Sequence, residues 1–533
     1  MKKLYSFTLI LIMALLLVGC TGDKDKQDSS KGNTNKSSKD QLVFANFRDI
    51  RDLNPHLYAG ELFAQGMLYE SLVKVTDKGI EPWLAKDWEI SEDGKEYTFF
   101  LRDDVKFHDG EKFNANAAKA NFDAILDNIE RHGWLELVRL MESVEAVDEY
   151  TLKVKMTEPY FPMLTELAVT RPFRFISPNA MIDGKTKDGV KEYIGTGPYA
   201  LTDHKKDESA TFTYFEDYWG EAPAIKTVIA KVIPDNQARV LALQKGEIDL
   251  IYGKNLIDAE SFESLVAGGK FDSLLSDPIS SRIILLNTTN EILNDVNVRK
   301  ALQHAVDKVA ISEGIFNGSE APADTLLAET VPYANIGLKP YKYDVETTEK
   351  LLDEAGWKMD KAANVRKKDG KELTLNLYYN SDTASEKTIS EYLQSEFGKL
   401  GVALKIAGEE EQSYRDRQKA GDFDIIFDIS WGTPYDPQSF ISAMKLPVYG
   451  DYYAQQGLPN KAELDQNIAD VLISTDEQAR QELFTKILTT LHDEAVYIPL
   501  TYERNRAVFV DGLKNVTFNP SQFEIPFEKM SFE

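Results

Sequence analysis

Four aromatic side chains stand where a small molecule can be handled: Tyr58 in NPHLYAG, Trp134 in RHGWLEL, and Trp431 and Tyr435 in WGTPYDP. Their Pro and Gly neighbours mark loops, and loops carry binding residues more often than element interiors do. Taken singly, each ring serves packing equally well. The histidines offer less. His56, His108, His132, His204, His304 and His492 are scattered without the i, i+4 or H-x-H spacings that preform a metal site, so each is expected to be structural. A bound transition metal would then need its first shell from a small organic chelator.

Catalytic constellations do not stand out. The chain has no G-x-S-x-G, no H-E-x-x-H, no phosphate-cradling G-x-x-x-x-G-K-S/T and no Rossmann glycine fingerprint after a strand. Carboxylate runs such as Asp103-Asp104 and Glu409-Glu410-Glu411 are ordinary in a chain with 87 acidic residues, where they mark solvated turns. No enzyme is expected, and an extracytoplasmic hydrolase stays only as a distant rival.

Cys20 is the single cysteine in 533 residues, which excludes internal disulfides, cysteine-built zinc sites and a cysteine nucleophile in the folded body. It ends an N-terminal segment in which Lys2 and Lys3 precede the apolar run 4–18. That run is shorter than the roughly 20 residues of a spanning helix and fits a secretory signal. Leu17-Val18-Gly19-Cys20 resembles a bacterial lipobox, so residues 1–19 are expected to be removed and Cys20 to carry lipid. Thr21 to Asp40 contain no large apolar side chain and cannot offset the entropy of ordering. Residues 20–40 are read as the lipidated cysteine and a flexible tether holding a folded body outside the cell membrane.

The net charge of −26 argues against nucleic acid and suits a soluble, monomeric secreted body. About 490 residues exceed what one core usually serves, so two lobes are expected. Apolar alternation at Tyr97, Phe99, Leu101 and at Leu152, Val154, Met156 predicts half-buried strands. Between them Asn114 is placed to cap a helix with Phe122, Ile125, Leu126 and Ile129 on one face. Later, Leu373, Leu375 and Leu377 alternate, Ile389, Leu393, Phe397 and Leu400 follow helical spacing, and Val402, Leu404 and Ile406 alternate again. That predicts a strand-helix-strand unit, with Gly356 and Gly401 at helix C-termini. Together these make a mixed α/β chain.

LNPHLY (53–58), PWLAKDW (82–88), SEDGKEYTFFLRDDVKFHDG (91–110), IGTGPY (194–199), YWGEAPAIK (218–226) and LQKGEIDLIYG (243–253) resemble the nickel- and oligopeptide-binding proteins of ABC importers, solute-binding protein family 5. VRKALQHAVDK (298–308), YDVETTEKLLDEAGW (343–357), WGTPYDP (431–437) and LHDEAVYIPL (491–500) continue the likeness, which covers essentially the whole mature chain. RHGWLEL (131–137), TRPFRFISP (170–178), VPYANIGLKP (331–340) and WGTPYDP are most similar to nickel-binding members, with an oligopeptide receptor as the rival within the family.

The resemblance implies a two-lobed periplasmic-binding-protein-like fold, type II and of the large cluster C kind, closing about a hinge over a central cleft. Lobe one would comprise 41–278 plus 501–533, and lobe two 279–500. It implies nickel carried as a small-molecule chelate, such as nickel-histidine or an opine-type metallophore complex, and delivery to a permease and its ATPase. Site positions carried over are Tyr58, Arg131, Trp134, Arg171, Trp431 and Tyr435, with Arg171 foremost, because a guanidinium takes a carboxylate bidentately while aromatics wall the chelate. Arg174, three residues on, competes for that role. Relatives can place a metal-ligating histidine after the PYDP motif, whereas LPVYGDYYAQQG (446–457) carries Tyr449 there, which is counted with the chelate-binding positions. No direct protein ligand to the metal is assigned: either the chelator saturates the metal alone or the chelator differs, and Gln438 adds a neutral group able to address it. His56 is taken as structural.

Overall fold

The structure is a computed structural model and describes residues 39–254 and 256–533. The signal segment 1–19, the lipid site Cys20 and the tether up to residue 38 lie outside the described residues. Among the described residues, no helix is long and apolar enough to cross a membrane.

The alternating stretches fold as strands Glu96–Leu101 and Thr151–Met156, which pair antiparallel with Tyr97 opposite Val154 and Phe99 opposite Leu152. Ala85–Ile90 and Met141–Asp148 complete a four-stranded sheet. Its inward face buries Phe99, Leu101, Leu152 and Val154 against the helix Ala115–Leu126, capped by Asn114, whose side chain accepts from the Ala117 amide at 3.0 Å. Phe122 and Ile125 are buried as expected, but Ile129 is 51% exposed. The backbone leaves the helix at Asn128 (φ −118°, ψ 43°), so Ile129 opens a separate turn and never joins that face.

Two larger mixed sheets centre the two lobes. The first is seven-stranded. Gln41–Asn46 lies beside Thr227–Val232 in parallel register, and the strand Arg506–Val510, from far along the chain, is inserted between Leu250–Tyr252 and Phe271–Leu275. The second is six-stranded around Ser280–Leu286, every residue of which is buried, as suits a strand covered on both faces. Its far edge is the expected strand-helix-strand unit. Thr374–Asn380 and Ala403–Glu409 run parallel, with Leu377 opposite Ile406, and the helix Ala384–Lys399 between them buries Ile389, Leu393 and Phe397. Gly356 (φ +90°) and Gly401 (φ +77°) follow the helices they terminate in the left-handed conformation that glycine adopts without a Cβ clash.

The chain passes between the large sheets twice, at 276–279 and 504–505, and the passages run side by side. The Ser276 amide donates to the Asn505 carbonyl at 3.0 Å, and the Ile279 amide to that of Glu503 at 2.9 Å. Glu503 lies beside these passages, accepting from Lys254 Nζ at 2.6 Å, Ser280 Oγ at 2.6 Å and Arg282 Nη2 at 2.8 Å. Burial opposes its ionisation, but Lys254 and Arg282 prevail and hold its carboxyl below the ordinary range. The strand Tyr497–Glu503 remains in the six-stranded sheet to its end, with Ser280 opposite Glu503.

Candidate functional site

One wall of the cleft is organised by the loop that follows the first strand. His56 is buried there, with Nδ1 2.9 Å from Thr186 Oγ1 and Nε2 3.1 Å from the Arg174 carbonyl, and burial drives its pKa down to about 3. It is a neutral anchor for the loop, as expected. Gly60 must lack a side chain, because a Cβ would stand 2.4 Å from the Asp52 carbonyl oxygen. Its own carbonyl accepts from Arg171 Nη1 at 3.0 Å.

That anchoring presents Tyr58. Trp134 Nε1 donates to its hydroxyl at 2.8 Å, and the hydroxyl lies 2.9 Å from Nδ1 of buried His132. Burial pushes the Tyr58 phenol well above its ordinary pKa and His132 down to about 4, so both are neutral near pH 7 and share one hydrogen bond whose donor follows from the imidazole tautomer. Arg171 and Arg131 flank the same ring, their guanidinium carbons 5.2 and 5.4 Å from its centroid. Arg174, the competing candidate, is 1% exposed and turned inward, bonded to the Val169, Tyr69 and Ala168 carbonyls and paired with Glu524. Geometry therefore separates the two arginines: Arg171 faces the cleft and Arg174 braces the lobe.

The opposite wall comes from the second lobe. Trp431 lies edge-on to Trp134 with ring centroids 5.7 Å apart, and packs on Tyr435 at 5.9 Å and Tyr449 at 5.5 Å. Its carbonyl accepts from Gln522 Nε2 at 2.8 Å. Gly432 (φ +72°) makes that approach possible, since a Cβ there would sit 2.2 Å from Gln522 Nε2 and 2.6 Å from the Ile279 carbonyl oxygen. Below the rings, Glu166 accepts from the Tyr160 hydroxyl at 2.7 Å and from Ser439 Oγ, of the second lobe, at 3.1 Å.

The walls enclose a cavity of about 370 Å³, the size of a small-molecule site. Tyr58, Trp134, Arg171, Trp431, Tyr435 and Tyr449 all line it. Arg131 does not; it is exposed and stands behind Tyr58. Gln438 is not among the lining residues either. Sequence reasoning missed the apolar Leu62 and Phe523, and a polar edge made by Arg415, Gln418, Asp428 and Asp451. Asp451 lies inside the quoted stretch 446–457, but nothing in a strongly acidic chain singles it out.

Chemically the lining suits binding. Arg171 donates a single hydrogen bond within the described residues, which leaves other donors of its fork able to take a carboxylate. Burial lowers its pKa from the ordinary guanidinium value, yet guanidinium remains charged across the working range. Burial also pushes Tyr435 and Tyr449 up, leaving neutral phenols. Among the described residues, no group of three or more His, Cys, Asp or Glu side chains is placed to hold a metal ion.

Residues 79–450 match the family model described as bacterial extracellular solute-binding proteins, family 5 Middle. The nickel-binding periplasmic protein of Escherichia coli K12 is 42% identical over 497 residues, covering 93% of this chain and 95% of the relative. The crystal structure of NikA from Brucella suis in complex with Fe(III)-EDTA superposes with a TM-score of 0.91 at 46% identity, over 92% of this chain and 100% of that one. That of NikZ from Campylobacter jejuni in complex with Ni(L-His) has a TM-score of 0.76 at 26% identity, over 92% and 99%.

Proposed function

The chain belongs to the family 5 bacterial extracellular solute-binding proteins, and from that premise we propose that it is a receptor that captures nickel as a small-molecule chelate and delivers it to an ABC importer. The observation that carries this function is the cavity itself. A guanidinium with unused donors, Arg171, stands among neutral aromatics where no described group of side chains can form a metal shell. Such a site selects a metal already wrapped in a carboxylate-bearing chelator, as free histidine or an opine-type metallophore would wrap it.

Nothing is transformed in this scheme. The two passages at 276–279 and 504–505 act as the hinge, lobe one comprising 41–278 with the C-terminal segment and lobe two the residues between. Closure brings Trp134 to Trp431 and Ser439 to Glu166 over the ligand, and a permease with its ATPase receives the closed form. Lipid on Cys20 and the tether would keep a monomeric body beside that permease and raise its effective concentration.

The rival is an oligopeptide receptor. Asp428 and Asp451 in the same cavity give it one specific support, since an acidic group suits a peptide amino terminus. Native mass spectrometry of soluble protein beginning at Thr21, exposed to nickel alone, nickel with L-histidine and a mixed peptide pool, separates the two. A nickel-histidine adduct without a nickel-only adduct is expected. Peptide adducts with no nickel species would replace the metal function by the rival.

A further inference from the structure

The cavity has two chemically opposite ends. Arg171 offers donors on the first lobe, whereas the second-lobe edge ends in two carboxyl groups, Asp428 and Asp451. Asp428 closes the strand Ile425–Ile429 and keeps unused acceptor capacity. Its Oδ1 accepts from the Ile429 amide at 2.8 Å, and its Oδ2 only from Gln418 Nε2 at 3.3 Å. Asp451 is 2% exposed, and its Oδ1 accepts no hydrogen bond although it lines the cavity. A buried, unpartnered carboxylate oxygen is costly unless something fills its place. The two acids are neighbours: a Cβ on Gly450, the residue before Asp451, would lie 3.7 Å from Asp428 Oδ2. Arg415, the cation on this edge, spends Nε and Nη2 on Glu411 at 3.0 and 2.8 Å.

Two carboxylates cannot complete a metal shell, and no third ligating group accompanies them among the described residues. They must instead meet the outer edge of the chelate. In a metal complex of an amino acid that edge carries N–H bonds, made more strongly donating by coordination of their nitrogen, while the carboxylates project elsewhere. We propose that Asp428 and Asp451 form an acceptor subsite for the N–H groups of the bound chelate, opposite Arg171, so that the receptor selects amino-bearing chelators over purely carboxylate-edged ones. This rests on the chelate-receptor function above. Burial and the charge of Asp451 push Asp428 well above the usual carboxylate range, and burial raises Asp451 against a hydrogen bond from the Tyr497 hydroxyl, so the acceptor capacity left over is Asp451 Oδ1 and the weakly held Asp428 Oδ2.

Calorimetric titration of the soluble protein, and of its Asp451→Asn and Asp428→Asn variants, with nickel–L-histidine and with Fe(III)-EDTA tests this. EDTA has no N–H to offer and its iron complex is anionic. Each substitution is expected to weaken nickel–L-histidine at least tenfold and to leave Fe(III)-EDTA binding essentially unchanged, because it removes an acceptor that only the first ligand can use. Asp428→Asn, on the less buried side chain, supplies the test should Asp451→Asn fail to fold by its thermal unfolding curve. Unchanged nickel–L-histidine affinity in the folded variants, or an equal loss for both ligands, overturns the subsite. Wild-type protein binding neither chelate overturns the receptor function itself, and the subsite with it.

Discussion

Glu166 bonds to Ser439 from a position where its charge is disfavoured, which makes the stability of the fold sensitive to pH in a calculable way. It is 1% exposed in the short helix Met163–Leu167 and accepts from Tyr160, Ser439 and the Leu137 amide. Burial lifts its carboxyl from an ordinary 4.5 to about 7 against the pull of those hydrogen bonds. The folded chain therefore binds this proton more tightly than the unfolded chain. Stability from this group is full below pH 4.5 and falls as pH rises towards 7. A shift of about 2.5 pH units at 1.36 kcal/mol each gives a loss of about 3 kcal/mol above pH 7. Glu166→Gln removes that titration and keeps an acceptor for the two hydroxyls, while sacrificing the Leu137 bond at about 1 kcal/mol. The variant should therefore exceed wild type by about 2 kcal/mol at pH 8 and fall about 1 kcal/mol short near pH 4.5. With an unfolding entropy of about 1 kcal/mol/K for some 490 residues, the advantage at pH 8 is about 2 °C in Tm. Thermal unfolding of both proteins in matched buffers from pH 4.5 to 8 reads the difference directly. A difference that stays constant with pH, or one that turns against the variant as pH rises, refutes the reasoning.

Tyr58→Phe leaves the Trp134 indole N–H and His132 Nδ1 without their buried partner, and should cost about 2 kcal/mol in urea unfolding near pH 7. Gly432→Ala forces a Cβ against Gln522 and the Ile279 carbonyl at positive φ; it should displace Trp431, alter intrinsic tryptophan fluorescence and weaken chelate binding at least tenfold. Glu503→Gln leaves half-buried Lys254 without its carboxylate and buried Arg282 with only Glu320 at 3.4 Å, and should cost about 3 kcal/mol in chemical unfolding at pH 7.

Much of the scaffold was readable from periodicity because it is local: the strands at 96–101 and 151–156, the capped helix at 115–126 and the strand-helix-strand unit at 374–409 obey spacings a few residues long. Ile129 broke the pattern where the backbone left the helix at Asn128, a departure that apolar spacing does not record. The site was less accessible. Arg171 and Arg174 are three residues apart, and what separates them is Glu524, 350 residues beyond Arg174, which turns the second arginine inward. Phe523 reaches the cleft from the C-terminal segment, and Asp428 and Asp451 become neighbours only once the strand Ile425–Ile429 and the helix Gly450–Ala454 are folded together. No local spacing carries those contacts.

The central claim is that a nickel chelate is held in this cleft through Arg171. Calorimetric titration of nickel–L-histidine into the wild-type protein and into Arg171→Ala, with folding of each verified by thermal unfolding, tests it most directly. Loss of a bidentate, charge-assisted carboxylate contact predicts saturable binding to wild type and an affinity reduced about 100-fold in the variant. Equal affinities in the two proteins, or no binding to wild type, would contradict the account.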